Sequence, residues 1–285
     1  MKLLITGANS YIGGQTAAYL QAGHQDWEIH KLSVRDDAWK EHSFSAYDAV
    51  FHVAGLAHKK ITPENEPQYF KINRDLSVEV AAKAKKDGVK HFVFMSSMSV
   101  YSDKTERIDA DTPPCPDNAY GLSKLQAEQG IGELADKSFT VSILRPPMIY
   151  GKGCKGNYQA LRKLALTLPV FPRVKNRRSM LYIDNLSEFV SQLLASPQSG
   201  VFFPQNAELV NTSDWAKAIA AANGKRLYLS GALGACALIG KHVPGVGTYC
   251  EKAFGDSFYE PALSAYAGMD YQKVSFVESI LRTEQ

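Results

Sequence analysis

The first apolar run of the chain, Leu3 to Thr6, breaks into Gly7-Ala8-Asn9-Ser10-Tyr11-Ile12-Gly13-Gly14 and resumes as a helical pattern from about Ile12. A buried strand that turns on glycine directly into a helix constrains everything after it. The helix lies back over the strand, and the next strand comes alongside in parallel. The alternation this demands is present. Apolar runs at Trp27 to Leu32, Ala49 to Val53, Phe92 to Met95 and Val141 to Leu144 are separated by helical patterns near Tyr69 to Lys86 and from about Tyr120. Continuous apolar strands of this kind are buried on both faces, so the expected architecture is α/β, a doubly wound parallel sheet with helices on either side. One connection is too short for that plan. Between the second strand and Ala49 lies only Ser33 to Asp48, too little for a helix plus a strand, so this crossover is expected to be trimmed to a loop.

After Arg145 the pattern fragments, punctuated by Pro146, Pro147, Pro169, Pro172, Pro197, Pro204 and Pro244. At 285 residues the chain is near the size at which single cores stop growing. We therefore expect a first domain over residues 1–150 and a smaller lobe mainly over residues 151–285, with a helix such as Asn185 to Leu194 returning to the first sheet. The balance of 32 Lys and Arg against 29 Asp and Glu, a net +3, argues against a dedicated nucleic-acid binder and allows a local basic site for a phosphorylated ligand. Cys115, Cys154, Cys236 and Cys250 form no CxxC pair and share no metal-ligand spacing with a histidine, so reduced cytoplasmic thiols and no metal are expected. No signal-peptide h-region follows Met1. The longest apolar stretch, Leu227 to Gly240, is interrupted by Ser230 and glycines and is too short to span a bilayer. It reads as a core or interface helix, with a monotopic membrane contact as the other reading.

In the first turn, Gly7 and Gly13 suit a tight bend and close helix packing, and the helix start at Ser10, Tyr11 and Ile12 suits a dinucleotide pyrophosphate. Ser10 stands where a middle glycine is often found: either its β-carbon holds the phosphate further off or its hydroxyl donates to it. The second strand ends Lys31-Leu32-Ser33-Val34-Arg35, without the carboxylate that would hold an adenosine ribose 2′-hydroxyl. Ser33 and Arg35 suit a 2′-phosphate, which favours NADP(H) over NAD(H). The other reading leaves Arg35 solvated or paired with Asp36 or Asp37.

Tyr120-Gly121-Leu122-Ser123-Lys124 sets a phenol and an ammonium four residues apart on one helix face, where the cation would lower the phenol pKa from about 10. The apolar strand Phe92 to Met95 ends in Ser96-Ser97, at the edge of the sheet where ligands bind in open α/β folds. With Asp48-Ala49-Val50-Phe51-His52-Val53-Ala54-Gly55, Ser96 to Tyr101, and Leu144-Arg145-Pro146 to Tyr150-Gly151, the chain resembles an extended short-chain dehydrogenase/reductase of the NAD-dependent epimerase/dehydratase family.

The resemblance implies a Rossmann-type fold with a smaller C-terminal substrate-binding lobe. It implies that Tyr120 is the acid/base, that Lys124 binds the nicotinamide ribose and lowers the Tyr120 pKa, and that Ser97 orients the substrate oxygen, Ser96 being the next candidate. Ala54 and Gly55 fall in the matching cofactor-binding segment. Gly156-Asn157-Tyr158 and Asn176 to Leu186 resemble the segments that hold a sugar-nucleotide diphosphate, through the Asn157 amide and the Arg178 guanidinium, while Arg177 is expected in solvent. Met98-Ser99 replaces the Asp-Glu pair of the family's dehydratases, which argues against dehydration. Of the remaining residues, His52 reads as a packed histidine, Asn73 as structural or as support for the site, and His58-Lys59-Lys60 as a solvated basic loop.

The reaction the resemblance implies is hydride transfer at C4 of a UDP-hexose or UDP-N-acetylhexosamine, favoured as reduction of a UDP-4-keto-6-deoxy sugar in surface-polysaccharide synthesis. A UDP-hexose 4-epimerase with retained NAD is one alternative, and a non-catalytic dinucleotide-binding sensor the other. Some members of the family pair through the Tyr120 helix and the preceding long helix, so a homodimer is compatible with the resemblance.

Overall fold

The computed structural model describes residues 1–57, 59–240 and 247–285; His58 of the basic run lies outside them. Six parallel strands form the central sheet: β1 (Lys2–Thr6), β2 (Glu28–Leu32), β3 (Ala49–His52), β4 (His91–Met95), β5 (Thr140–Leu144) and β6 (Gly200–Phe202), in the order β6-β5-β4-β3-β1-β2. One rung runs Lys31, Ile5, Phe51, Val93, Ser142, Gly200. Alternation along each strand sends side chains to two cores: Leu3 and Ile5 of β1 join one and Leu4 the other.

Helices α1 (Tyr11–Gly23), α2 (Leu76–Lys86) and α3 (Ala119–Gly132) cover the sheet, with α2 and α3 on the Leu4 side. The trimmed crossover is observed. Ser33 to Asp48 holds a single 3-10 turn, Asp37–Lys40, and crosses over β1 to reach β3, which leaves β2 at the edge. Trp39, Phe44 and Tyr47 from this loop are buried against Leu4, Val50, Phe92 and Phe94, so three aromatic rings fill the place of a helix.

The lobe contributes helices α4 (Asn157–Thr167), α5 (Ile183–Ala195), α6 (Thr212–Ala222), α7 (Gly231–Gly240), α8 (Gly247–Phe254) and α9 (Phe276–Glu284). Its elements are interleaved with the sheet. Helix α5 lies on α1, joined by Ser187 to Thr16 (3.2 Å) and Tyr19 to Glu188 (2.9 Å), and β6 adds a strand after residue 195. One small parallel pair, Val170–Pro172 with Tyr228–Ser230, lies within the later segments, and two more join them to the first 150 residues: Met148–Tyr150 with Met180–Tyr182, and Phe258–Tyr259 with Arg107–Ile108.

Candidate active site

The carboxyl ends of β1, β3 and β4 open into one cleft of about 2130 Å³, bounded on the far side by the lobe. Every site residue expected from the sequence lines it except Gly13. That glycine is buried beneath the turn instead, where a β-carbon would come within 2.8 Å of Ser10 Oγ and 2.9 Å of Val53. Its role is close packing alone.

The turn after β1 depends on Gly7, whose φ of +103° is a conformation side chains resist. A β-carbon there would also lie 2.8 Å from the Ala54 nitrogen, so glycine is what lets the β1 and β3 loops close together at the cleft floor. Ser10 is the N-cap of α1: its Oγ accepts from Gly13 N at 2.9 Å. Its hydroxyl proton remains for donation, while one helix N–H is already satisfied. The glycine-built turn and the helix start fit a dinucleotide diphosphate. Tyr11 lines the same floor and its buried phenol oxygen has no hydrogen-bond partner among the described residues.

Ser33 and Arg35, just beyond the end of β2, line the same cleft. Arg35 is exposed, its backbone N–H donates to Ser33 Oγ (3.4 Å), and among the described residues it makes no ion pair. Asp36 caps the 3-10 turn and Asp37 pairs with Lys40 at 3.1 Å, so neither neutralises it.

Tyr120 and Lys124 are brought to β4 by local design. Asn118 caps α3 by accepting from Gly121 N (3.0 Å). A β-carbon on Gly121 would lie 2.0 Å from the Ser99 carbonyl oxygen, so only glycine lets this helix start lie against the Ser97 turn. Tyr120 stands beside Ser97 and meets Tyr69 edge-on at 6.3 Å. Burial pushes the Tyr120 phenol up, with the nearby Ser97 hydroxyl opposing; this is the reverse of the lowered pKa expected from the four-residue spacing. The ammonium of Lys124 donates one bond to the Met95 carbonyl at 2.8 Å and lies over the Phe94 ring. Burial pushes Lys124 down to about 8, against the pull of the Glu128 carboxylate.

Ser97 has two tasks. It caps the 3-10 turn Met98–Val100, accepting from Ser99 N at 3.1 Å, and it reaches Tyr120. Ser96 is engaged below, donating to the Glu128 carboxylate.

The sequence reading missed what lies underneath. Glu128, one turn beyond Lys124, receives Arg145 through NH2 at 2.6 Å and Nε at 3.1 Å, and Arg145 NH1 donates to Tyr101 at 2.7 Å. Residues 120, 124 and 128 share one helix face, and an arginine ending the apolar strand β5 needs a buried partner. Those were the available signals. Asn73, in the π turn Phe70–Asp75, clamps the loop after β3: its Oδ1 accepts from Leu56 N (2.7 Å), and its Nδ2 donates to Leu56 O and Ser123 Oγ. His52 is the packed histidine expected, held by Thr6 (2.7 Å) and Ser77 (3.0 Å), with burial pushing it down to about 3.

Across the cleft, Asn157 is the exposed first residue of α4. Arg178 faces the cleft with NH1 donating to the carbonyls of Lys252 (3.0 Å) and Gly255 (3.1 Å). Burial pushes its pKa down, and Asp256 opposes this. Arg177 pairs with Asp256 at 3.0 Å and lies 4.1 Å over the Phe258 ring, so it is a structural link at the surface.

The sequence profile of the NAD dependent epimerase/dehydratase family matches residues 3–203. The UDP-glucose 4-epimerase of Vibrio cholerae is 33% identical over 187 residues, 62% of this chain and 57% of that protein. The N-acetyl-alpha-D-glucosaminyl-diphospho-ditrans,octacis-undecaprenol 4-epimerase of Escherichia coli O157:H7 is 28% identical over 218 residues, 70% of this chain and 64% of that protein. The match thus spans less than two thirds of either relative. Among solved structures, the Thermus thermophilus UDP-glucose 4-epimerase complex with NAD superposes with a TM-score of 0.76 at 20% identity, covering 99% of this chain and 97% of that one. A dTDP-4-dehydrorhamnose reductase from Clostridium acetobutylicum gives 0.66 at 21% identity, covering 81% and 84%. At these identities the structures share the fold.

Proposed function

The chain belongs to the NAD-dependent epimerase/dehydratase family, and on that premise we propose that it transfers hydride at C4 of a UDP-linked hexose or N-acetylhexosamine, as an NADP(H)-dependent 4-ketoreductase of a UDP-4-keto-6-deoxy sugar. The observation that carries this reading is the convergence of Ser97, Tyr120 and Lys124 on the cleft that also holds the dinucleotide turn and Arg178.

A reduced nicotinamide, when bound, supplies the hydride. The chain's own residues handle the proton and the charge. Tyr120, kept as a phenol by burial, gives its proton to the ketone oxygen as that oxygen gains charge. Ser97, beside Tyr120 in the cleft, orients the same oxygen. Lys124, cationic at neutral pH and buried on the same helix face, stabilises the phenolate that remains. Asn157 and Arg178 take the sugar-nucleotide diphosphate, Arg178 exchanging carbonyl partners for phosphate oxygens. The exposed, unneutralised Arg35 supports a 2′-phosphate contact and hence NADP(H).

The likeness to 4-epimerases favours a second reading, a UDP-hexose 4-epimerase with retained NAD. Mixing the protein with a UDP-4-keto-6-deoxy-N-acetylhexosamine and NADPH or NADH separates the two. Stoichiometric nicotinamide oxidation, faster with NADPH and lost by about 10²-fold or more in Tyr120→Phe with dinucleotide binding retained, is the expected result. No oxidation, together with C4 epimerisation of a UDP-hexose, would replace the reductase by the epimerase.

A further inference from the structure

Helix α7, Gly-Ala-Leu-Gly-Ala-Cys-Ala-Leu-Ile-Gly, is apolar around its whole circumference, yet only Gly234 and Ala237 are buried. It seats on the backbone at Arg173, where a β-carbon on Gly234 would lie 2.1 Å from the carbonyl oxygen. Its other side chains face outward, with Leu238 50% and Ile239 67% exposed. A helix apolar on every side is ordinarily enclosed. Of the two parts of the expectation, a core helix is excluded here, while an interface helix and a membrane contact are both compatible with its exposure.

The surface beside it is of the same kind. In the parallel pair next to α7, the register partners Val170 and Tyr228 point outward, with Tyr228 63% exposed, while Phe171 turns into the core. Leu164 and Leu168 extend the patch along the end of α4. Such a contiguous apolar surface marks a contact, and its charge identifies the partner.

The chain contains no Asp or Glu from Lys137 to Ile183, nor from Trp215 to Cys250, and these segments carry fourteen Lys and Arg. The fold brings the two segments together at this patch, through the Val170–Pro172 and Tyr228–Ser230 strands. Some of the cations are used internally, such as Arg145 with Glu128 and Arg162 with Glu284. Lys163, Arg173, Lys225 and Arg226 are exposed and make no ion pair among the described residues. Lys225 sits at the end of α4, donating to Leu166 O at 2.7 Å, and Arg173 lies beneath α7. Asp214, the last acid before the second segment, is at the opposite end of α6 from Lys225.

We propose that this face docks on an anionic phospholipid bilayer, with α7 lying in the headgroup region and the surrounding cations on the lipid phosphates. Short length and an apolar surface rimmed by cations define an interfacial contact; among the described residues no helix is long and apolar enough to cross a membrane. Docking holds the cleft close to the lipid surface, because Gly240 at the end of α7 abuts Cys250 of α8, and the next residues, Glu251 and Lys252, line the cleft.

Co-sedimentation with phosphatidylcholine vesicles, with and without about 30% phosphatidylglycerol, tests this. The full chain is expected to bind the anionic vesicles at least about tenfold more tightly than the neutral ones, and to weaken with salt. Leu238→Glu/Ile239→Glu and, separately, Lys163→Glu/Arg226→Glu should each reduce binding about tenfold or more. Both pairs are exposed and outside the cleft, so thermal melting and dinucleotide binding should be unchanged, which separates loss of docking from loss of the fold. Two results would overturn the proposal: absence of binding to anionic vesicles, or a dimer in sedimentation velocity that Leu238→Glu/Ile239→Glu dissociates, which makes a second copy the occupant. Neither bears on the reaction proposed above.

Discussion

Replacing Glu128 by leucine should be among the most damaging single changes in this chain, although Glu128 lies below the cleft surface. Its carboxylate is 4% exposed and receives two bonds from Arg145 Nε, one from Arg145 NH2 and one from Ser96. Leucine preserves the bulk but strands a guanidinium that is 10% exposed. Breaking a buried pair from one side costs about 3–5 kcal/mol, and a chain of this size loses roughly 2–4 °C of Tm per kcal/mol. The expected fall is about 6–20 °C, measured by circular dichroism at neutral pH. Removing both charges should undo much of it, because two apolar groups leave nothing uncompensated. Glu128→Leu/Arg145→Met should recover at least about half of the loss, the remainder reflecting the Arg145 contacts with Tyr101 and Phe203. A Glu128→Leu Tm within about 1 °C of the parent, or a double variant less stable than the single one, would refute this account.

With the Lys124 pKa at about 8, the side chain loses its charge as pH rises through that value, so the reductive rate should fall on the alkaline side. Lys124→Met should abolish that limb and lower the rate about 10²-fold; a parent profile flat to about pH 10 would remove the ammonium from the mechanism. Arg35→Ser should weaken NADPH roughly 10- to 150-fold, the worth of a charged hydrogen bond, and leave NADH nearly unchanged. Equal effects on both dinucleotides, in a fluorescence titration, would exclude a 2′-phosphate contact. Gly7→Ala meets both a φ of +103° and the Ala54 nitrogen at 2.8 Å, and calorimetry should find dinucleotide affinity reduced about tenfold or more at preserved secondary structure.

Strands β1, β3, β4 and β5 were legible because each is an apolar run bounded by turn chemistry, and the short Ser33 to Asp48 link was legible from length alone; β2, Glu-Ile-His-Lys-Leu, departs from the expected strand buried on both faces, because as the edge strand it is largely exposed. The sixth strand, Gly200–Phe202, was not. Three residues carry no period, and their pairing with β5 is a long-range choice made by α5. At the site, residue types and spacings placed Tyr120, Lys124 and Ser97 on one cleft, but spacing gave the wrong direction for the Tyr120 phenol. The Met95 carbonyl that takes the Lys124 ammonium is a backbone atom, which a pattern of side chains does not reveal. Helix α7 was legible only in part: composition showed that it is apolar, and only its neighbours decide how much of it is enclosed.

The trimmed crossover bears on timing. With Ser33 to Asp48 spent on a plug of three rings, β2 is the rim of the sheet, and no strand flanks it among the described residues. On the proposed reading, the adenosine half of a dinucleotide would lie at Ser33 and Arg35 beside the loop residues Asp36, Trp39 and Lys40, with no further strand flanking that margin among the described residues. On the reductase reading proposed above, spent and fresh coenzyme should interchange across this margin on every cycle, and the protein should come through purification largely stripped of it.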